Sequence, residues 1–163
     1  PFINFSKFEK NLGNKILNKK FGLKKNDKFI CVIVRDEFFL KKLENTINLK
    51  NNKMQDTYRN YDLNKFIPAF KLMEKKGYYV FRMGKYSNIK LNVKSNKIID
   101  YVNSKYRSDF MDIYLIKNCK FMISTNTGVD FVAYQFKKKI GYLNLCVGFM
   151  NLLRDNIYLS RLK

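Results

Sequence analysis

Apolar residues fall into two rhythms along this chain. The first is the short unbroken run. Residues 29–34 (FICVIV) are apolar throughout, mostly β-branched, and stop at Arg35-Asp36, the pattern of a strand buried on both faces. Residues 78–83 (YYVFRM), 97–101 (KIIDY), 120–125 (KFMIST) and 139–144 (KIGYLN) repeat it. The second rhythm is helical. Between Asp62 and Gly77, the residues Leu63, Phe66, Ile67, Phe70 and Met73 line one stripe, with Asp62 as N-cap and Gly77 as the stop. Pro68, inside that stripe, is expected to kink the helix. Further helices are predicted over residues 37–43, over 108–119 with Ser108 or Asp109 as cap, and over 128–136. Near the start, Leu12, Ile16, Leu17 and Phe21 give a weaker helical period that ends at Gly22. Residues 44–62 have no period and read as a long loop, functional or mobile. The tail has a helical start and no clear finish, and no internal repeat is visible.

Strands therefore alternate with helices. This predicts an α/β fold: a three-layer, Rossmann-like domain with a mainly parallel sheet. Residues 1–26 read as a connecting helix or linker and residues 27–163 as the domain itself. Ligands of such sheets bind beyond the carboxyl ends of the strands. The candidate residues are those just past each strand: Arg35 and Asp36; Arg82, Met83, Gly84 and Lys85; Ser124, Thr125, Asn126, Thr127 and Gly128; Asn144.

Composition narrows the chemistry. The chain has 163 residues, with Lys+Arg 33 against Asp+Glu 13, a formal net charge of +20. That field favours anionic partners. A Lys-, Asn- and Ile-rich chain with Ala only at Ala69 and Ala133 also fits a codon bias, and then much of the Lys is solvated surface. There is no His, so Ser-His and Cys-His catalytic pairs and His metal sites are excluded. Cys31, Cys119 and Cys146 lie far apart in or beside apolar runs, the pattern of buried thiols in a reducing compartment. No apolar run reaches membrane-span length and no signal-peptide layout opens the chain. The first residue is Pro1, not Met, so the chain is expected to be processed or part of something larger.

Two readings compete at residues 124–130. Thr127 and Asp130 match the S/T-x-x-D/E capping pattern, which needs no ligand. A helix start at the ligand edge of a sheet, with hydroxyls and a glycine, is equally a phosphate cradle. Neither G-x-x-x-x-G-K-[ST] nor G-x-G-x-x-G occurs. Arg35 and Arg82 each end a strand, where a guanidinium suits phosphate or pairs with a carboxylate. Arg59 and Asn60 in the long loop are an exposed polar turn or a clasp over a ligand. Arg107, before a helix with Asp109 in its first turn, is a further anion contact or a cap partner, and Tyr106 beside it is a candidate to stack on a base. Most of the 15 Phe fall on core positions, so core packing accounts for the aromatics better than single-stranded nucleic-acid binding does.

The blocks V-R-D at 34–36, Y-R-N-x-D at 58–62, G-Y-Y-V-x-R-M-G at 77–84, N-S-K-Y-R-S-D-F at 103–110 and I-S-T-x-T-G at 123–128, taken in order, resemble a family of bacterial glycosyltransferases found among surface-polysaccharide genes. More loosely, Arg35 and the S-T-x-T-G block look like the donor-phosphate contacts of fucosyltransferase-type GT-B enzymes. The resemblance covers residues 28–145. It implies the C-terminal, donor-binding half of a two-domain GT-B enzyme, holding a nucleotide-sugar for transfer to a glycan or lipid-linked acceptor. It implies no cofactor and no metal. The donor-binding set it suggests is Arg35, Asp36, Arg59, Asn60, Arg82, Gly84, Lys85, Arg107, Asp109, Ser124, Thr125, Thr127, Gly128 and Asp130. The expected location is cytoplasmic, with peripheral contact at an anionic membrane face. A full GT-B enzyme has a second domain with the acceptor site, so a chain of this length is expected to bind donor and to lack catalysis alone. The rival readings are a basic nucleic-acid-binding module and a non-catalytic Rossmann-like module.

Overall fold

In a computed structural model of the chain, described for residues 4–35, 38, 42, 61–145 and 157–160, six strands form one sheet in the order β3-β2-β1-β4-β5-β6. They are β1 (Lys28–Ile33), β2 (Tyr78–Met83), β3 (Ile98–Ile99), β4 (Met122–Ser124), β5 (Ile140–Leu145) and β6 (Ile157–Ser160). Every neighbouring pair is parallel. The described helices are α1 (Lys7–Phe21), α2 (Ile67–Lys75), α3 (Asp109–Asn118) and α4 (Asp130–Gln135).

The two rhythms explain the layers. In β1, Phe29, Cys31 and Ile33 point into one core, and Ile30 and Val32, with Val34 just past the strand, into another, because side chains alternate across a strand. The first core is closed by Leu17 of α1, Met111 and Leu115 of α3 and Ala133 of α4. The second is closed by Leu63, Phe66 and Phe70. Helices thus cover both faces, and the fold is α/β and Rossmann-like.

Several elements differ from expectation. Pro68 does not kink a helix interior. Leu63–Phe66 form a 3-10 turn capped by the Asp62 carboxylate, and Pro68 sits in the first turn of α2, where its missing N–H costs nothing. The tail contains a sixth strand at Ile157–Ser160. The helix predicted over 37–43 and the loop at 44–60 lie almost wholly outside the described residues, where only Phe38 and Lys42 are described, both helical.

α1, the segment read as a connector, is seated on the first core. It starts in a capping box between Ser6 and Glu9 and ends at Gly22 in the left-handed region, φ 73°. Gly13 meets the Tyr114 ring, to which a Cβ would come within 2.4 Å. The Tyr114 hydroxyl lies 3.2 Å from the Lys10 carbonyl, to which it donates, and 3.1 Å from Asn14 Oδ1.

Candidate functional site

The sheet order reverses between β1 and β4. From β1 the chain moves to β2 and β3 on one side, then returns to place β4, β5 and β6 on the other. At such a reversal the loops after the two central strands diverge and leave a crevice at their carboxyl ends. Arg35 follows β1 there, and residues 125–128 follow β4.

Hydrogen bonds fix this edge. The Thr125 N–H donates to the Ile33 carbonyl at 3.3 Å, and the Arg35 N–H donates to Thr125 Oγ1 at 2.8 Å. The Arg35 carbonyl accepts from the Tyr61 N–H at 3.2 Å. Arg35 is therefore held by its backbone on both sides, while its side chain is only half-buried. Ser124 Oγ accepts from the Asn126 N–H at 3.1 Å. Asn126 takes φ 63°, a left-handed conformation that Asn tolerates better than most residues. The chain then turns into α4.

Asp130 anchors the turn. Fully buried, it accepts from the Thr127 N–H at 2.9 Å and from the Thr127 hydroxyl at 3.2 Å. Burial pushes its carboxyl up to about 6, against the lowering pull of Ser124 and Thr127. Half of the expected capping box is present. Asp130 reaches back, but its own N–H donates to the Thr127 carbonyl at 3.1 Å rather than to the Thr127 hydroxyl. α4 has only six residues, so it brings little macrodipole. What the turn offers an anion is local. The Gly128 and Val129 N–H groups have no acceptor among the described residues, and a Cβ on Gly128 would meet nothing within 4 Å.

Arg82 has a different environment from the expected phosphate ligand. It is buried, at 3% exposure. Its Nη1 donates to the Ile89 carbonyl at 2.6 Å and to Asp100 Oδ1 at 3.0 Å, and its Nη2 to Ser87 Oγ at 2.7 Å. Asp100 also accepts from the Leu91 N–H and from Asn103 Nδ2, both at 2.9 Å. The guanidinium ties the connection after β2 to the end of β3. Sequence reasoning missed Asp100, because its place depends on the register: β2 and β3 pair with Phe81 opposite Ile99, so one step on sets Arg82 abreast of Asp100.

The remaining candidates are scattered. Gly84 has φ 158° and packs against Val102, which a Cβ would approach to 3.0 Å. Lys85 is exposed near the Tyr86 ring. Arg107 is bound by carboxylates of the helix it precedes, Asp109 at 2.6 Å and Asp112. Burial works against the Arg107 charge, but Asp112 and Asp109 outweigh it and hold it above its ordinary value. Burial pushes Asp112 up in spite of Arg107. Asp109 is 77% exposed. Asp36, Arg59 and Asn60 lie outside the described residues. The structure thus gathers Arg35, Ser124, Thr125, Thr127, Gly128 and Asp130, and leaves Arg82 and Arg107 in ion pairs of their own. Tyr61 joins the set unforeseen.

No family model, no curated protein and no solved structure matches the chain.

Proposed function

We propose that this chain is the donor-binding half of a GT-B glycosyltransferase, which holds the diphosphate of a nucleotide-sugar at the β1/β4 reversal. The observation that carries the reading is the turn after β4, tied to the Arg35 backbone through Thr125 Oγ1, whose Gly128 and Val129 N–H groups lack an acceptor among the described residues. A guanidinium and two neighbouring N–H groups suit a diphosphate. Arg82 is not assigned to the donor, because Asp100, Ser87 and Ile89 surround its guanidinium.

The chemistry is electrostatic. Charge builds on the nucleoside diphosphate as the sugar C–O bond breaks, and fixed donors there lower the barrier without a metal. The acceptor, a glycan or lipid-linked glycan of a cell-surface polysaccharide, belongs to a second domain of a cytoplasmic enzyme.

Titration calorimetry with UDP-, GDP- and CMP-sugars tests this. One donor should bind, and Arg35→Ala should weaken it at least about tenfold, the scale of removing a charge-assisted hydrogen bond. Absence of binding to all three classes, with tight salt-sensitive binding to oligonucleotides, would sink the reading in favour of a nucleic-acid module.

A further inference from the structure

We propose that the outer face of α1 docks the protein on an anionic lipid surface. The helix is seated by Gly13 and Leu17, so the opposite side is set outward at a spacing of 3.6 residues per turn. Phe8, Leu12, Lys15 and Lys19 fall on that side, at i, i+4, i+7 and i+11. All four are exposed, Phe8 at 75% and Leu12 at 38%. Lys7 flanks them and is exposed as well. The one acidic residue of α1, Glu9, is turned into the capping box, where it accepts from the Ser6 N–H at 2.7 Å. No ion pair holds Lys7, Lys15 or Lys19 among the described residues.

The face is therefore an apolar pair followed by two ammonium groups, with no carboxylate among them. That order fits the boundary of a bilayer. Phe8 and Leu12 reach the acyl region while the lysines meet phosphate headgroups. Nucleic acid would match the lysines but give Leu12 no apolar partner. The contact is peripheral, since no described helix is long and apolar enough to cross a membrane. The docking does not depend on nucleotide binding, because α1 holds none of the donor candidates.

Co-sedimentation at low salt with vesicles of phosphatidylglycerol in phosphatidylcholine, against phosphatidylcholine alone, tests the docking. The protein should bind the anionic vesicles only. Phe8→Ser with Leu12→Ser should weaken binding about tenfold. Lys15→Glu with Lys19→Glu should weaken it by at least about twenty-fold, near fivefold for each ammonium group removed from the headgroups. The control, Lys71→Glu with Lys75→Glu, makes the same charge change on the exposed side of α2 and should cost about twofold or less, since distant charges are screened. All these positions are exposed, and melting curves confirm folding of each variant. Equal weakening by both lysine pairs would overturn the proposal, because the overall field and not α1 would then be responsible. Unchanged binding of the Phe8/Leu12 variant, or no binding to anionic vesicles, would overturn it too.

Discussion

Arg35 and Arg82 both lie near the carboxyl ends of adjacent parallel strands, Arg82 inside β2 opposite Val32 and Arg35 two residues past β1, and their surroundings differ. Arg82 turns into the layer between β2, β3 and the connection after them, where Asp100, Ser87 and the Ile89 carbonyl take up its donors. Arg35 is pinned by its backbone, by Thr125 on one side and Tyr61 on the other, and its side chain stays half-buried at the sheet reversal. Part of the difference lies in register, since Arg82 stands opposite Val32 within the sheet, and part in the neighbouring strand. β3 ends in a carboxylate abreast of Arg82. β4 ends at Ser124 and is followed by Thr125, and both hold backbone and carry no charge. A buried cation with a carboxylate is architecture. A turn with hydroxyls, whose Gly128 and Val129 N–H groups lack an acceptor among the described residues, suits an anion.

The sharpest way to break this contrast is to remove the partner of Arg82. Asp100→Ala should destabilise the fold by roughly 3 kcal/mol in urea unfolding, the low end for a broken buried pair, because Asp100 keeps 20% exposure. Donor affinity of the folded fraction should hold. An equally large loss of stability from Arg35→Ala would erase the distinction.

Asp130 gives an effect of similar size with a pH signature. Its folded carboxyl is raised from 3.8 to about 6, so the folded protein binds its proton more tightly than the unfolded chain does. The contribution to stability is present below the unfolded value and is lost as pH rises through about 6, some 3 kcal/mol at most. Asp130→Asn removes this slope. The difference in unfolding free energy, wild type minus variant, should fall between about pH 4 and pH 7. A flat difference would show that burial does not raise this carboxyl. An ionised Asp130 also opposes a diphosphate on the same turn, so donor affinity should improve as pH drops from about 8 to 6.

Smaller still is Thr125→Val, which deletes the acceptor of the Arg35 N–H and should cost about 1 kcal/mol in the same unfolding assay. Arg35→Ala should cost less stability than Asp100→Ala, while its effect on donor binding is the largest of the set. That inversion between stability and binding is what separates the two arginines.

Much of the fold was legible because buried parallel strands are written as continuous apolar runs. FICVIV, YYVFRM and KFMIST each named a strand, and the alternation with helical stripes named the architecture. The Pro68 expectation failed because the stripe through Leu63 and Phe66 looks the same whether the first turn is 3-10 or α. The sixth strand was hidden by IYLS, too short a run to separate from a helix by period. At the site, the residues past β1 and β4 could be located from topology alone. The fate of Arg82 could not, since it depends on the register of a two-residue strand, Ile98–Ile99. The capping box was half right: spacing brings Thr127 and Asp130 together but does not choose the direction of their hydrogen bonds.

The central claim is that the β1/β4 reversal, and not the β2/β3 edge, receives the nucleotide-sugar. Backbone amide chemical shifts followed during titration with the donor that binds test it most directly. The largest changes should fall on Arg35, Gly128 and Val129, with Arg82, Ser87 and Ile89 nearly still. Changes centred on Arg82, Ser87 and Ile89, or none at any donor concentration reached, would contradict it.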